Sequence, residues 1–119
     1  MRLLVSTLVL ALTLPVLSGC HSTHVQATIT NHTAQPLALV ELDYPSASFG
    51  TQTLAPGASY QYRFKVIGTG DTKLLWTDGV GQQHSVTGPH LTEAADGTLT
   101  ADVQAQGVHW SASFPTPAH

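Results

Sequence analysis

The chain has 119 residues, of which 42% are hydrophobic and only 9% are charged. Chains that remain disordered show the opposite balance, so the composition predicts a folded domain. Four basic residues stand against seven acidic ones, which gives a formal net charge of −3. Because proteins that bind nucleic acids need a basic surface, this charge excludes nucleic acid as a partner.

The first 19 residues have the pattern of a secretion signal. Arg2 gives a positive start, and only hydroxyl residues interrupt the apolar run from Leu3 to Leu14. This run is too short to cross a bilayer comfortably, but it suits the apolar core of a signal peptide. Pro15 then breaks the run. We therefore expect residues 1–19 to be removed on export.

The segment Leu17-Ser18-Gly19-Cys20 resembles the lipobox of bacterial lipoproteins. The resemblance implies that a diacylglyceryl group is attached to the Cys20 sulfur, that the signal is cut before Cys20, and that the new amine is acylated. In lipoproteins of bacteria with two membranes, an aspartate after the cysteine is typical of retention in the inner membrane. His21 stands there instead, which favours the outer membrane if the organism has one. The alternatives are an ordinary signal peptide and an uncleaved anchor.

Cys20 is also the only cysteine, so neither an intrachain disulfide nor a zinc site built from cysteines can form. Cleavage before it leaves about 100 residues, which is enough for one domain. Residues 20–24 are expected to form a short polar tether, residues 25–114 the folded domain and residues 115–119 a disordered tail.

Short β-like runs alternate with turn signals through this domain, at the spacing of a sandwich. In chain order the predicted strands are 25–31, 36–44, 48–54, 59–67, 72–77, 82–87, 98–104 and 108–114. Gly88-Pro89 is expected to open a longer loop that closes at Asp96-Gly97. The pattern predicts an all-β fold, an antiparallel β-sandwich of seven to eight strands.

Two of these strands carry specific expectations about burial. In strand 59–67 apolar and polar residues alternate, which predicts that Tyr62 and Phe64 are buried while Arg63 and Lys65 are exposed. In strand 36–44 the same alternation predicts one inward face, formed by Ala38, Val40, Leu42 and Tyr44.

The segment Leu54-Ala55-Pro56-Gly57-Ala58, followed by alternating aromatics, resembles a strand entry of immunoglobulin-like and fibronectin-like bacterial domains. The resemblance implies an immunoglobulin-like architecture. The paired cysteines of true immunoglobulin domains are missing, so it extends to the architecture alone.

Seven histidines invite a metal site, but none of the fixed spacings of a metal motif is present. We expect solvated or singly hydrogen-bonded histidines, no specific transition-metal site and no cofactor. Glu41 and Asp43 share one strand face, where a solvated pair is expected rather than a pair for acid–base catalysis. The hydroxyl residues stand in no nucleophile motif, so we predict no catalytic residues and no enzyme.

One connection is a candidate binding loop. Residues 44–50 place Tyr44 and Phe49 around a proline, and loops on a rigid sandwich often carry binding residues. These aromatics could stack on a sugar or on a partner protein. The alternative is that both rings simply cap the end of the core.

The sequence therefore predicts a non-enzymatic lipoprotein anchored to the membrane through Cys20, acting in binding, as an adaptor or in envelope structure. Its partner would be an envelope protein or a glycan. The alternative is a ligand-binding lipoprotein for a carbohydrate or a transition metal. Aromatics converging in a groove would favour the sugar, and three histidines near one point would favour the metal. Because the tether is short, residues 31–35, 55–58 and 78–81 are expected at the end away from the membrane, and residues 44–50 at the membrane end.

Overall fold

A computed structural model describes residues 22–115. The predicted signal peptide and Cys20 lie outside the described residues. The described chain forms eight strands: β1 Val25–Asn31, β2 Leu37–Tyr44, β3 Ala47–Leu54, β4 Ser59–Phe64, β5 Gly70–Thr77, β6 Gln83–Leu91, β7 Gly97–Gln104 and β8 Gly107–Ser113. No helix that could span a membrane occurs between residues 22 and 115.

The strands form two four-stranded sheets, in the orders β4-β1-β7-β8 and β3-β2-β5-β6. Apolar residues from both sheets pack into one buried core between them. The predicted all-β fold with two sheets is confirmed. The prediction of purely antiparallel pairing is wrong at one place, because β1 and β7 are parallel, with Val25 opposite Gly97 and Asn31 opposite Val103. Each connection reverses the direction of the chain, so all odd-numbered strands run the same way. Because β1 and β7 are neighbours in the sheet order, they pair in parallel.

The same alternation of direction sorts the connections between the two ends of the sandwich. We call the end at which β1 begins the near end; it carries the connections 45–46, 65–69 and 92–96. The far end carries the connections 32–36, 55–58, 78–82 and 105–106. Contacts tie neighbouring connections together at each end. The Ala94 N–H donates to the Val66 carbonyl at the near end, and the Gly57 N–H donates to the Asn31 carbonyl at the far end.

Strand β2 contains a bulge that interrupts its predicted inward face: Val40 and Leu42 are buried as predicted, but the prediction is wrong before them. The register shifts between Ala38 and Glu41, and Leu39 adopts a positive φ of 50°. As a result Leu37 is buried and Leu39 is 64% exposed. Ala38, which the alternation places inward, is only half-buried. A bulge inserts one residue into the pairing, and strict alternation cannot continue through it.

The burial predicted around β4 is confirmed for Phe64, Arg63 and Lys65 but is wrong for Tyr62. The Phe64 side chain is 3% exposed, whereas that of Tyr62 is 41% exposed. Strand β4 lies at the edge of its sheet. Its inward-facing residues therefore have a neighbouring strand on one side only, whereas those of a central strand have one on each side. The alternation identifies the face, and the position in the sheet decides how deeply that face is buried.

Strand β6 continues through Gly88 and Pro89 to Leu91, so the long loop predicted from these residues is wrong. An edge strand tolerates a proline because the missing N–H can face away from the neighbouring strand. The Thr72 hydroxyl donates to the Pro89 carbonyl at 2.9 Å beside a register shift in β5. The connection to β7 is therefore confined to residues 92–96.

Candidate functional site

A pocket of about 430 Å³ opens at the far end, between the two sheets. We call it the far-end pocket. Residues of three connections and their flanks form its wall, from Thr33 and Gln35, from Asp78 to Val80, and from Gln104 to Gly107. Its floor consists of side chains from β2, β5 and β6: Leu37, Trp76, His84 and Val86. The volume falls within the range of about 300–1,000 Å³ that is usual for small-molecule sites.

Asn31 holds one wall of this pocket in place. Its side chain is fully buried, and its Nδ2 donates to the carbonyls of Gln35, at 2.8 Å, and Leu54, at 2.9 Å. Its Oδ1 accepts a hydrogen bond of 2.8 Å from the backbone N–H of Thr33. The buried amide is thus satisfied on both sides, as burial of a polar group requires. It fixes the connection that carries Thr33 and Gln35.

Asp78 closes the opposite wall by accepting hydrogen bonds from its own turn. Its Oδ1 accepts from the backbone N–H groups of Val80, at 3.0 Å, and Gln82, at 2.9 Å. Its Oδ2 accepts from His84 Nε2 at 2.7 Å. The hydrogen bond from His84, followed by that from the Gln82 N–H, lowers the pKa of the Asp78 carboxyl below its ordinary value. Asp78 is therefore held as a carboxylate at neutral pH.

The imidazole of His84 stacks on the indole of Trp76, with ring centroids 5.0 Å apart and planes 11° from parallel. The two residues are direct partners in the β5–β6 pairing. Trp76 is buried, whereas the His84 side chain is 36% exposed. The pocket therefore presents a flat imidazole that is backed by a fixed indole and oriented by a carboxylate.

Three glutamines also line the pocket. The side chains of Gln35, Gln104 and Gln106 are exposed, and their amides make no hydrogen bond to another residue in the described range 22–115. Among residues 22–115, neither lysine nor arginine lines the far-end pocket, and Asp78 is the one carboxylate in its lining. The lining thus offers neutral donors and acceptors around an apolar floor.

The two aromatic residues predicted as a binding loop do not lie in a loop. Tyr44 ends β2, Phe49 lies within β3, and only Pro45 and Ser46 separate these strands. Phe49 is 7% exposed, and its ring lies 4.5 Å from that of Tyr62. The ring of Tyr44 stacks at 4.1 Å on that of Phe64, and burial raises the pKa of the Tyr44 hydroxyl. Both positions match the alternative of rings that close the core, and binding by them stays a prediction.

Three histidines of the described chain pair with separate aspartates. Besides His84 with Asp78, His90 Nδ1 lies 2.8 Å from Asp71, and His32 Nε2 lies 3.5 Å from Asp102. Within residues 22–115, no three metal-ligating side chains of His, Cys, Asp or Glu converge. The absence of a specific metal site remains a prediction.

Glu41 and Asp43 lie together on the outer face of β2, where Glu41 is exposed and Asp43 is half-buried. A hydrogen bond to Asp43, together with the negative charge of Asp43, raises the pKa of the Glu41 carboxyl. Neither carboxylate lies in the far-end pocket. The pair matches the solvated arrangement expected from the sequence.

The sequence contains a partial signal for the far-end pocket. Asp78-Gly79 marks the turn, and its backbone bond from the Asp78 N–H to the Gln82 carbonyl brings Trp76 opposite His84. The contributions of Gln35 and Gln104 depend on how the two sheets pack. No local pattern in the sequence reports that packing.

No protein-family model matches the sequence, and no curated protein matches it. A solved structure is similar in fold: the solution NMR structure of a protein from Eubacterium rectale, with a TM-score of 0.55. The alignment covers 80% of this chain and 93% of that one at 10% sequence identity. Similarity at this level concerns the fold alone.

Proposed function

We propose that this chain is a non-enzymatic binding module, tethered to an envelope membrane by lipid on Cys20, which presents the far-end pocket to the aqueous space. The observation that carries the proposal is the placement of the pocket. The tether leaves the domain at the start of β1. The pocket opens at the opposite end of the sandwich. A pocket in this position stays accessible while the domain rests on the membrane.

The length of the tether supports this orientation. Five extended residues, from Cys20 to His24, span about 15 Å at most. His24 is attached to the near end, because its backbone N–H donates to Asp96 Oδ1 and its carbonyl accepts from the Gly97 N–H. The near end therefore stays close to the lipid, and a strand of eight residues places the far end roughly 25 Å further out.

The pocket's chemistry supports binding rather than catalysis. The Asp78–His84 pair resembles the acid–base part of a catalytic triad, but a triad also needs a nucleophile hydrogen-bonded to the imidazole. Among the described residues, the hydrogen bond of the His84 ring is to Asp78. The hydroxyl of Thr33, which also lines the pocket, lies 2.6 Å from Asn31 Oδ1 instead.

Two finer assignments belong to the same proposal. The sandwich is immunoglobulin-like in type, which is supported by its two sheets of short strands joined by connections that cross between them. The membrane is the outer one in an organism that has two, which is supported by His21 in place of an aspartate after Cys20. The partner is an envelope protein or a glycan.

The anchor is tested by metabolic labelling with a clickable fatty acid. The wild-type chain should carry the label, and Cys20→Ser should abolish it and leave the precursor uncleaved. Ser18→Thr, which keeps a hydroxyl residue in the signal and spares the cysteine, serves as a control for export. Label retained in the Cys20→Ser variant would refute the tether.

The orientation is tested with two introduced thiols in the lipidated protein, reconstituted into vesicles. Ser46→Cys lies in a near-end turn and Gln106→Cys in a far-end turn, and both positions are exposed. A fluorophore on each thiol is read by energy transfer to acceptors in the lipid headgroups. We expect strong transfer from position 46 and weak transfer from position 106. Equal transfer from both would mean that the domain does not stand with its pocket outward.

A further inference from the structure

We infer that the ligand of the far-end pocket is a neutral sugar, with one ring lying against the His84–Trp76 stack and its hydroxyl groups bound by the wall amides. The inference rests on the proposed function, since it names the ligand class of the same pocket. It is carried by three properties of the lining: its charge, its hydrogen-bonding groups and its floor.

The charge of the lining selects against ionic ligands. A phosphate or carboxylate ligand calls for a cation or a cluster of free N–H donors. The part of the chain that the structure describes contributes neither lysine nor arginine to the lining, and the carboxylate of Asp78 would repel an anion. A divalent metal would need several converging ligands, whereas His84 and Asp78 are the two candidates here and are bonded to each other. An organic cation would have to compete for the Asp78 carboxylate with the N–H groups of Val80 and Gln82 and with His84, which already occupy both of its oxygens. A neutral ligand remains.

The hydrogen-bonding groups suit a ligand rich in hydroxyls. Each of Gln35, Gln104 and Gln106 offers an amide that both donates and accepts. A hydroxyl group likewise donates and accepts, so neighbouring sugar hydroxyls can satisfy both ends of one amide. A purely apolar ligand would instead desolvate these amides without replacing their bonds, at a cost in affinity. The wall therefore favours a polyhydroxylated ligand over a lipid.

The floor suits the apolar face of a sugar ring. A pyranose ring carries C–H groups on its faces and hydroxyls around its rim, so it pairs an apolar surface with a polar edge. The pocket has the matching arrangement, with Leu37, Val86 and the stacked His84 below and amides around the rim. The indole of Trp76 keeps the imidazole plane in place, which spares a ligand the entropy of ordering it.

A peptide is the main competing neutral ligand, since its backbone also donates and accepts. Extended peptides generally bind by adding a strand to an exposed sheet edge. The far-end pocket borders the edge strand β6, but His84 and Val86 enter its lining from the inward face of that strand, as the direct partners of the buried Trp76 and Leu74. The pocket therefore presents side chains of β6 rather than its unpaired backbone edge. This geometry accommodates a ring or the end of a glycan better than an extended chain.

The test titrates the full mature lipoprotein, in a detergent without sugar groups, by protein-detected NMR. The probes are neutral hexoses, N-acetylhexosamines and their short oligomers. Glucuronic acid, a hexose phosphate, zinc ions and an uncharged decapeptide serve as comparison probes. We expect saturable shifts with at least one neutral sugar, centred on residues 33–35, 76–84 and 104–107. The comparison probes should leave these residues unshifted.

Two matched double variants locate the binding. Gln104→Ala with Gln106→Ala removes two wall amides, and we expect the affinity to fall by about tenfold, as the loss of two hydrogen bonds predicts. Gln26→Ala with Gln61→Ala removes two exposed amides from β1 and β4, away from the pocket, and should leave the affinity unchanged. Spectra of the free variants report whether each remains folded. His84→Ala removes the ring platform and should abolish measurable binding.

The possible outcomes separate this inference from the proposed function. Binding of the peptide or of an anion at residues 76–84, without any sugar, overturns the sugar and leaves the binding module in place. Sugar binding that the Gln104/Gln106 variant does not weaken overturns the pocket as its site. The absence of shifts with every neutral sugar at millimolar concentration also overturns the inference, whereas the lipid labelling and orientation experiments test the tethered module independently.

Discussion

The near end and the far end of this sandwich fill the space between the same two sheets in different ways. On the side of β3 and β4, five aromatic residues in ring contact close the gap from the near end onward: Tyr44 and Phe64 lie at the near end, Phe49 and Tyr62 follow, and Tyr60 lies towards the far end, opposite Ile29. We call them the aromatic cluster. At the far end, on the side of β6 and β8, the space between the sheets stays open as the far-end pocket, above Leu37, Trp76, His84 and Val86.

This difference separates stability from binding. Packed aromatic rings bury large apolar areas and contribute strongly to the folding free energy. An open pocket forgoes that burial, and its walls must be fixed by hydrogen bonds, as Asn31 and Asp78 show. Substitutions in the aromatic cluster should therefore change stability, and those around the far-end pocket should change binding with a smaller effect on stability.

The largest expected effect lies in the aromatic cluster. Phe64 is 3% exposed and contacts the rings of Tyr44 and Phe49, so Phe64→Ala should lower the free energy of unfolding by about 3–5 kcal/mol. Tyr62→Ala removes a ring that is already 41% exposed and should cost about 1–2 kcal/mol. Arg63→Ala, on the outer face between them, should cost less than about 0.5 kcal/mol. Urea denaturation of the three variants measures the order.

Equal losses in the Phe64 and Tyr62 variants would contradict the graded burial of β4. A loss in the Arg63 variant as large as that of Phe64 would mean that the faces of β4 are reversed.

Much of the fold is readable from the sequence because its signals are local. Alternating apolar residues and turn dipeptides predict seven to eight strands, and residues 22–115 form eight. The bulge in β2 is not readable in this way, because leucine gives no signal for the positive φ at Leu39. The close approach that the bulge creates is visible only on the neighbouring strand, where a Cβ at Gly50 would collide with the Val40 carbonyl.

The parts that the sequence does not predict depend on strand order. The exposure of Tyr62 follows from β4 lying at a sheet edge, and the parallel pairing of β1 with β7 follows from which strands become neighbours. The candidate site likewise has one part that local sequence predicts and one part that it does not. The Trp76–His84 stack follows from the local turn at Asp78, whereas the approach of Gln35 and Gln104 to that stack depends on the packing of the sheets.

A smaller effect on stability is expected at the far end. Asn31→Ala leaves the carbonyls of Gln35 and Leu54 without their donor, and an unsatisfied buried polar group costs about 1–3 kcal/mol. The connection 32–36 should loosen with it, so sugar affinity should fall more steeply than in Phe64→Ala at temperatures where both variants are folded. Gln52→Ala, at an exposed position in β3, is the control for loss of an amide group. Urea denaturation and sugar titration together check the prediction.

If Asn31→Ala weakens folding but leaves sugar affinity intact, the amide holds the core rather than the pocket wall. If Phe64→Ala weakens sugar affinity as much as Asn31→Ala does, the two ends are coupled and the division between them fails.

The smallest expected effect is the pH dependence of stability, and it has opposite signs at two carboxyls. The hydrogen bond from His84 lowers the pKa of Asp78 below its ordinary value of 3.8. Folding thus favours the ionised form of Asp78. Its contribution to the free energy of unfolding is present above pH 3.8 and is lost as the pH falls through the lowered pKa. The hydrogen bond to Asp43 raises the pKa of Glu41 above 4.5. Folding therefore disfavours the ionised form of Glu41, which lowers the free energy of unfolding at neutral pH. This loss of stability disappears as the pH falls through the raised pKa.

Two variants separate these contributions. Asp78→Asn should lower stability at pH 6 and flatten its decline between pH 4 and pH 2, because the carboxylate that accepts from His84 is gone. Glu41→Gln should slightly raise stability at pH 6, because it removes a carboxylate whose charge Asp43 opposes. Both groups are solvated, so salt should diminish both effects. Urea denaturation at pH 6, 4 and 3, at low and high salt, measures them. A stability profile for Asp78→Asn parallel to that of the wild type would mean that the Asp78–His84 contact does not form in solution, and the imidazole would then lose the carboxylate that orients it over the pocket floor.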